Sequence, residues 1–487
     1  MINNFLKDSS TYVVASIIST GIAFITLPIY TRFLSPADYG IIALFLMFGK
    51  VTAGLSSLGI QNASYRYYFE LKDNLLRYRI LNSTNFIFLL LVYALCSIIV
   101  FIFSSWFASV IFNDNIYKDL ILFAFFNGAI EYLINYITLL LTAQLRSFTY
   151  ASIIISQTLL RTFITFYLIF NYQLTYLSII YATIISNIIT IIILVYLIRE
   201  TFIFRFSLKN LKKSLLFSYP VTPNKIISMI YSSFDKIMLN NFSGMASIGY
   251  YIFGQKFGNI LKLLMDSIGK VWLPHFMSNA KLNTDDSRRS IVNRFYELAF
   301  FYMILGLFLI YYSEEMIKIL TTEEYYPAMY VVPIYVFFYF FSITGTISVA
   351  QLMHAEKLIY RLPVSIVSVL VNILINLLLI PIYGAIGAAI ATSFSQLIVS
   401  IVSSYFGQRV YPLPINFIKL IGLYIVLFIF TIPVYPIMDM EINFLVKIMM
   451  KLSFIITFIY IGFKFNLISA KYFFEKIFHF HKSLLAR

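Results

Sequence analysis

Residues 179–198, IIYATIISNIITIIILVYLI, form an unbroken apolar run. A helix of about 20 such residues is long enough to cross the hydrocarbon core of a bilayer. Similar runs recur along the 487-residue chain, which is 60% hydrophobic and 12% charged, whereas soluble domains are about a quarter charged. A transmembrane β-barrel would instead show alternating segments of about ten residues. The sequence therefore predicts an all-α polytopic membrane protein.

The apolar runs predict about fourteen transmembrane helices. Their expected ranges are 10–32, 40–60, 81–103, 119–143, 150–170, 174–198, 215–239, 249–275, 294–312, 329–352, 362–381, 385–406, 416–437 and 443–463. Most loop Lys and Arg residues fall on one side of this arrangement, and only Arg32, Lys118 and Lys318 fall on the other. The positive-inside rule then predicts a multi-pass protein of the bacterial plasma (inner) membrane with both termini in the cytoplasm.

Two parts of the chain resemble each other weakly. Phe33–Gly40 (FLSPADYG) and Phe242–Gly249 (FSGMASIG) match in Phe, Ala and Gly, and Ala182-Thr183 matches Ala391-Thr392 at the same offset. Six spans separate the copies, so the two repeats are parallel, an arrangement in which transporters bind substrate between the halves. The predicted domains are an N-terminal six-helix bundle (1–199), a cytoplasmic linker (200–214), a second six-helix bundle (215–408), two further helices (409–463) and a basic cytoplasmic tail (464–487).

Several charged residues remain at membrane depth, where each costs at least about 2.5–3.5 kcal/mol and therefore faces a cavity or a partner. The basic ones within the repeats are Lys50, Arg161, Lys225, Lys236, Lys256 and Lys262. If they face one cavity, it suits an anionic substrate. Two alternatives stay open: Lys225 and Arg161 could snorkel to an interface, and Lys262, Asp266 and Lys270, spaced by four residues, could form an ion-pair ladder on one helix face.

Three acids at membrane depth, Glu131, Asp235 and Asp266, are candidates for coupling to a proton or sodium ion. The alternative for each is a fixed partnership with a nearby lysine. Asp235 and Lys236 are adjacent and point about 100° apart on a helix, so we do not expect them to pair with each other. Lys447 and Lys451 lie outside the repeats, and we expect them to serve packing or to contact lipid headgroups.

Other chemistry is excluded by what the sequence lacks. There is no phosphate-binding loop of the Walker or GxGxxG type, and the four histidines have no metal-ligand spacing with carboxylates. We therefore expect no catalytic residue, no metal site and no cofactor. The net charge of +15 is explained by positive-inside loops and a cationic cavity, so no nucleic-acid partner is expected.

Four stretches resemble the Wzx-type polysaccharide and O-antigen exporters of the multidrug/oligosaccharidyl-lipid/polysaccharide (MOP) superfamily. They are LPIYTRFLSPADYG (Leu27–Gly40), GIQNASYR (Gly59–Arg66), Tyr219-Pro220 followed by Asp235-Lys236, and NLLLIPIYGAIGAAIAT (Asn376–Thr392). They occur in the family's order and cover most of the chain. The positions that carry the signature, for which we expect structural roles, are Asp38, Tyr39, Gly40, Arg66, Pro381, Gly384 and Gly387.

The resemblance implies two MATE-like six-helix bundles around a V-shaped cavity, plus two C-terminal helices that could form a groove for a lipid tail. It also implies a flippase that moves an undecaprenyl-diphosphate-type oligosaccharide from the cytoplasmic to the outer leaflet for O-antigen or capsule synthesis. The expected partners are this substrate, membrane lipids, and a polysaccharide polymerase with its chain-length regulator. The cationic residues would hold the diphosphate, with Arg suited to a bidentate grip.

Three other functions are weighed against this one. A cation-coupled multidrug exporter of the MATE branch would favour an acidic cavity. A lipid II-type flippase would share the mechanism and differ in the glycan. A membrane enzyme such as an oligosaccharide polymerase would need a substantial external loop, and the external segment 313–327 is short, with four acids and no recognisable constellation.

Overall fold

The computed structural model describes residues 2–219 and 222–464, except the side chains of residues 2–10, 224, 267, 270 and 271. The tail predicted at 464–487 therefore lies, beyond its first residue, outside the described residues. Within them, regular structure is entirely helical, as predicted. The helices are α1 Ile2–Ile25, α2 Leu27–Phe33, α3 Pro36–Ser56, α4 Ile60–Leu71, α5 Leu75–Ile102, α6 Ser104–Phe112, α7 Lys118–Ala143, α8 Ser147–Tyr172, α9 Tyr176–Leu197, α10 Leu208–Ser218, α11 Thr222–Ser243, α12 Met245–Leu282, α13 Asp285–Tyr311, α14 Ser313–Leu320, α15 Ala328–His354, α16 Arg361–Val410, α17 Phe417–Thr431, α18 Val434–Asp439 and α19 Phe444–Lys464.

Eleven helical segments among the described residues are long and apolar enough to cross a membrane. One of them contains α16, whose two halves correspond to two predicted spans. The helices α11 and α12 are not among the eleven, and they are the two that carry most of the predicted intramembrane charges. Counting α16 twice and adding α11 and α12 gives the fourteen spans expected from the sequence.

The contacts of the chain divide it into two compact units. The first unit comprises Met1–Ile252 with Leu320–Glu324, and the second comprises Phe253–Ile319 with Tyr325–Arg487. This division falls inside α12, whereas the sequence placed the domain boundary in the linker at 200–214. The two descriptions measure different things, contact density and internal repetition, so the repeat boundaries stay a prediction.

The predicted seventh span, 215–239, begins too early. Residues Leu208–Ser218 form the separate helix α10, which starts at the N-cap Ser207, and the spanning helix α11 begins only at Thr222. The helix α10 is followed by Tyr219, whose backbone N–H donates to the Leu215 carbonyl oxygen. Part of the predicted linker and the start of the predicted span therefore form one short helix that is separate from α11.

The Ser-Pro-Ala-Asp part of the first signature starts α3. The Ser35 hydroxyl accepts a hydrogen bond from the Asp38 backbone N–H at 3.2 Å, and the Asp38 carboxylate accepts one from the Ser35 backbone N–H at 2.8 Å. This reciprocal arrangement is a capping box. Pro36 occupies the first helical position, where its missing N–H has no consequence. Asp38 and the buried Tyr39 are thus structural, as expected.

Gly40 and its repeat counterpart Gly249 allow two helix ends to touch through their backbones. A Cβ on Gly40 would lie 2.2 Å from the carbonyl oxygen of Met245, and a Cβ on Gly249 would lie 2.2 Å from that of Pro36. Met245 follows Pro36 by the same offset that separates Gly249 from Gly40, so the contact is reciprocal. The weak repeat in the sequence therefore corresponds to a local two-fold relation between the starts of α3 and α12.

The signature block at 376–392 forms the sharp turn that divides α16. Gly384 has φ 52° and ψ −126°, a backbone conformation that favours glycine. A Cβ on Gly387 would lie 2.4 Å from the carbonyl oxygen of Leu379, so the chain folds tightly back on itself. Pro381, just before the turn, lacks an N–H for the helical ladder. The predicted break between residues 381 and 385 is therefore confirmed.

We expect Gly40→Ala to destabilise the protein, because the new methyl group overlaps a backbone oxygen that cannot move without shifting α12. Overpacking of this kind costs about 1–3 kcal/mol. The measurement is the temperature at which detergent-purified protein loses its monodisperse elution peak. Gly422→Ala is the matched control, since nothing lies within 4 Å of its Cβ position. Equal melting of the two variants would contradict the close contact.

Candidate functional site

The predicted intramembrane charges are distributed over both units. Lys50, Glu131, Arg161, Lys225, Asp235 and Lys236 belong to the first unit, and Lys256, Lys262 and Asp266 belong to the second. The residues of the first unit lie on α3, α7, α8 and α11, whose mutual contacts place several of them together.

Arg161, on α8, lies in a cluster of neutral amides. Its Nη2 donates to the Asn187 Oδ1 at 3.3 Å, and the Gln157 Nε2 donates to the same oxygen at 2.8 Å. Asn187 in turn donates from its Nδ2 to the Asn127 Oδ1 at 3.0 Å. The Arg161 Nε is buried and has no hydrogen-bond partner among the described residues. The guanidinium is therefore oriented by groups that carry no charge, which leaves its own charge uncompensated by a direct ion pair.

Sequence reasoning missed the three amides of this cluster. Asn127, Gln157 and Asn187 lie in three different apolar helices, α7, α8 and α9, and the 30 residues between successive members match no helical spacing. The available signal was their polarity alone, because a buried polar group in an apolar helix needs a hydrogen-bond partner. Asn127 and Asn187 are both buried, which confirms that their side chains serve the interior of the bundle.

Lys225, near the start of α11, contacts both α3 and α7. Its ammonium donates to the Ser57 hydroxyl at 3.3 Å and lies 4.7 Å from the centroid of the Tyr132 ring. An ammonium over an aromatic face is held by the quadrupole of the ring. The Lys225 side chain therefore points to its neighbours in the first unit, and whether it also reaches the membrane interface stays a prediction.

Lys50 and Glu131 are exposed and lie at the same level of the first unit. Gly49 of α3 packs backbone to backbone on Gly128 of α7, and four to five residues further along, Gly54 meets the Tyr132 hydroxyl. The two helices therefore run in the same direction, and Lys50 and Glu131 lie between these contacts. Glu131 is also near enough to interact electrostatically with Arg161.

We call Lys50, Glu131, Tyr132, Arg161 and Lys225 the polar strip. It holds three cations and one carboxylate, and the Tyr132 ring lies against one of the cations, Lys225. Among the described residues, none of its three cations makes a direct ion pair with a carboxylate. A surface of this kind is suited to an anionic ligand with several oxygens, because guanidinium and ammonium groups provide charge-assisted donors.

Asp235 and Lys236 do form an ion pair, so the expectation that neighbours on a helix cannot pair is wrong here. The Lys236 Nζ lies 3.4 Å from the Asp235 Oδ1 and also donates to the Ser232 carbonyl oxygen at 2.7 Å. The long lysine side chain folds back along the helix, which compensates for the angle between the two Cα–Cβ bonds. Asp235 is buried and paired with Lys236. A fixed partnership with a nearby lysine was the alternative to a coupling role for this residue.

The second unit presents its charges differently. Lys256 is half-buried, with its Nζ 4.8 Å from the Phe253 ring centroid. Lys262 and Asp266 are exposed, and no ion pair joins them among the described side chains, which do not include that of Lys270. The first step of the predicted ladder is therefore not formed. Two charges without a direct ion pair lie on the surface of α12 instead.

A separate cleft of about 560 Å³ lies in the second unit where α12 ends and α13 begins. It is lined by His275, Asp286, Arg289, Ser290, Asn293, Arg294 and Glu297. Arg294 is paired with Glu297 at 2.8 Å, and the two guanidinium groups face two carboxylates. The cleft therefore has no net preference for an anion, unlike the polar strip.

A family model described as "Polysaccharide biosynthesis protein" matches residues 29–330, more than half of the chain. The chain belongs to this family. The match includes every residue of the polar strip and both copies of the reciprocal glycine contact. No curated protein matches the sequence.

Solved structures of MOP transporters share the fold of this family member. The lipid II flippase MurJ in an inward closed conformation is 16% identical, with a TM-score of 0.74 over 93% of this chain and 98% of that one. An inward-facing MATE multidrug resistance transporter is 13% identical, with a TM-score of 0.61 over 82% and 94%. A MOP transporter from Pyrococcus furiosus is 13% identical, with a TM-score of 0.58 over 83% and 95%. These likenesses establish the fold.

The signature residue Arg66 of this family member also has a structural partner. Its Nε lies 3.3 Å from the Glu70 carboxylate, and its guanidinium carbon lies 4.6 Å from the Phe217 ring centroid. Arg66 thus connects α4 with α10. An exposed pair such as Arg66–Glu70 contributes little stability by itself, so the position of α10 depends on the ring contact as well.

Lys447 and Lys451 do not contact lipid headgroups; they belong to a buried ion-pair cluster. The Glu314 carboxylate accepts from Lys447 at 2.8 Å and from Lys451 at 3.1 Å, and Glu315 accepts from Lys451 at 2.5 Å. Lys318 adds a further contact to Glu314 at 2.9 Å. Sequence reasoning found no constellation among the acids of α14. In the structure these acids pair with the lysines of α19 and hold that helix to the second unit.

The electrostatics of this cluster favour an ionised Glu314. Burial by itself would raise the pKa of its carboxyl group, but the hydrogen bonds donated by Lys318, Lys447 and Lys451 outweigh burial and lower that pKa below its ordinary value. The Lys318 pKa is raised, chiefly by its hydrogen bond to Glu314. Removing the carboxylate would leave two buried ammonium groups without their common partner.

We expect Glu314→Gln to destabilise the protein by about 3–5 kcal/mol, the cost typical of breaking a buried ion pair by removing one partner. The measurement is thermal unfolding of the detergent-purified protein. Glu70→Gln is the matched control, since its exposed ion pairs are expected to contribute no more than about 1 kcal/mol. Similar unfolding of the two variants would show that the Glu314 cluster is not needed to hold α19.

The same cluster predicts how stability depends on pH. Because the Glu314 pKa is lower in the folded than in the unfolded protein, its stabilising contribution is fully present above the ordinary carboxyl pKa and is lost as the pH falls through the lowered value. We expect the unfolding temperature of the wild type to decline across this acidic window more steeply than that of Glu314→Gln. Parallel pH profiles for the two proteins would rule out this contribution.

Proposed function

We propose that the protein is a flippase that moves a lipid-linked oligosaccharide across the bacterial plasma membrane. The carrier is a lipid diphosphate of the undecaprenyl type, and the direction is from the cytoplasmic to the outer leaflet, by alternating access, for O-antigen, capsule or other surface polysaccharide synthesis. Family membership supports polysaccharide biosynthesis, and the MOP fold supports transport.

The observation that carries the proposal is the polar strip. A diphosphate carries several anionic oxygens, and the strip offers Arg161, Lys225 and Lys50 without neutralising any of them in a direct ion pair. Amides hold Arg161, so its guanidinium is available for a bidentate grip on phosphate. The Tyr132 ring beside Lys225 adds a flat apolar surface of the kind on which a sugar stacks.

The main alternative, a multidrug exporter of the MATE branch, is less well supported. A site for cationic drugs would need more carboxylates than cations, and the polar strip has Glu131 alone. A lipid II-type flippase, the activity named for one of the solved structures, would use the same diphosphate chemistry. We infer a different glycan for this chain, because its family is that of polysaccharide biosynthesis.

Coupling to a proton or sodium ion is assigned to Glu131 or Asp266. Both are exposed, and neither has an ion-pair partner among the described side chains, in contrast to Asp235, which Lys236 holds. In this proposal both termini are cytoplasmic because most loop Lys and Arg lie on their side. A polysaccharide polymerase and its chain-length regulator act on the product in the outer leaflet.

The test is complementation of a strain that lacks its own O-antigen or capsule flippase. We expect the wild type to restore surface polysaccharide. At matched membrane levels, Arg161→Ala, Lys225→Ala and Lys50→Ala in the first unit and Lys262→Ala in the second should each reduce it about tenfold or more. A hydrogen bond to a charged group contributes about 1.5–3 kcal/mol, and about 1.4 kcal/mol corresponds to a factor of ten.

Two controls make this test decisive. Arg161→Lys keeps the charge and loses the bidentate geometry, so it should rescue in part, and Lys72→Ala removes an exposed loop charge and should rescue fully. Failure of a well-expressed wild type with every lipid-linked donor would favour the drug exporter. Full rescue by all four alanine variants would keep the flippase and remove the polar strip as its site.

A further inference from the structure

The segment between α9 and α10 is fixed to α5 by three consecutive polar side chains. The Ser83 hydroxyl accepts a hydrogen bond from the Ile203 N–H at 2.8 Å, and the Thr84 hydroxyl accepts one from the Ser207 N–H at 3.1 Å. Asn82 donates to the Thr201 carbonyl oxygen at 3.5 Å. All three side chains are buried, so this segment has a defined position.

The helix α10 has one face packed against α4 and α5. Ser214 and Ser218 on that face are buried, and the Ser218 hydroxyl donates to the Gly59 carbonyl oxygen at 3.1 Å. At the edge of this face the Lys213 ammonium lies 4.0 Å from the Tyr67 ring centroid and 3.6 Å from the Glu70 carboxylate. These contacts fix the rotation of the helix about its axis, and therefore which residues face outward.

The outward face mixes large apolar side chains with lysines. We call it the linker face, and it comprises Phe204, Leu208, Lys209, Lys212, Leu216 and Tyr219. Phe204 is 102% exposed, Leu208 74% and Leu216 65%. A water-facing helix surface would be polar, and a surface among acyl chains would be apolar. A helix face that carries both apolar side chains and lysines is typical of a helix lying in the membrane interface, where lysines extend to the headgroups.

The position of α10 along the chain agrees with a location in the membrane interface. The spanning helix α11 begins at Thr222, three residues after Tyr219, so α10 lies where the chain enters the membrane. Its packing partners are α4, which follows the end of α3 at Ser56, and the start of α5 at Leu75. This is the side on which most loop Lys and Arg lie, and anionic lipids attract such residues.

We propose that the linker face lies in the bilayer interface and binds the headgroups of anionic phospholipids. Phe204, Leu208 and Leu216 lie at the level of the upper acyl chains, and Lys209 and Lys212 contact the phosphates. Charge complementarity identifies the anionic headgroup as the bound group, because Lys209 and Lys212 have no carboxylate partner among the described residues. The apolar side chains beside them are exposed, and their contact with water is unfavourable. The lipid surface therefore adds an outer contact to a helix that α4 and α5 already hold from the other side.

The test is hydrogen–deuterium exchange of residues 203–219 in the full-length protein, reconstituted in nanodiscs of phosphatidylcholine alone or mixed with phosphatidylglycerol. We expect slower exchange in the anionic discs, by about fivefold for each lysine, the factor equivalent to about 1 kcal/mol. Lys209→Gln with Lys212→Gln should abolish the difference between the two kinds of disc. Phe204→Ser with Leu216→Ser should raise exchange in both.

The matched control is Lys281→Gln with Arg409→Gln, which removes the same charge from exposed positions of the second unit and should leave the lipid dependence intact. Lys213 is kept in every variant because it holds α10 in place. Equal exchange of the wild type in the two kinds of disc would overturn the proposal. So would protection that appears only when another membrane protein is present, which would identify a protein partner instead.

Discussion

A charge within a bilayer is stable only where protein groups or water solvate it. The helices α11 and α12 are most affected by this constraint, because they carry most of the predicted intramembrane charges. They are too polar to meet the apolarity of an ordinary span because they carry lysines and aspartates along their length. The structure satisfies some of these charges directly: Asp235 holds Lys236, and Lys225 lies against Ser57 and the Tyr132 ring. Others, such as Lys262 and Asp266, are exposed, and exposed charges at this depth mark a wetted surface rather than one facing acyl chains.

The chemistry around Arg161 shows why amides are useful in such a place. A carboxylate would bind the guanidinium more strongly, but it would also compete with any anionic ligand. Asn187 fixes the orientation and leaves the positive charge in place, so the ordering of the side chain precedes the arrival of a ligand. Preorganised donors of this kind lose less entropy on binding. The same logic explains why the buried amides form a chain, because each needs a partner of its own.

Local features of the fold could be predicted from the sequence, and contacts between distant residues could not. The apolar runs located most of the spans and the break between residues 381 and 385, and the family resemblance marked Asp38, Pro381 and Gly384 as positions with structural roles. By contrast, Glu314 meets Lys447 and Lys451 across more than a hundred residues, and no spacing rule connects them. The Asp235–Lys236 pair could not be predicted for another reason: the Cα–Cβ bonds of helix neighbours diverge by about 100°, but a lysine side chain is long enough to reach back across that angle. The candidate site was predicted in part, since its cations were named and the amides that orient Arg161 were not.

The reciprocal contact of Gly40 with Met245 and of Gly249 with Pro36 is built like an isologous dimer interface inside one chain. In a true homodimer a single mutation changes both halves of such an interface together. Here the two halves are encoded separately, so a side chain gained at one glycine must be accommodated by a partner segment that has not changed. The local symmetry therefore restricts both glycines at once: a side chain at either one must be absorbed by the backbone of the other segment, with no matching change there to relieve it.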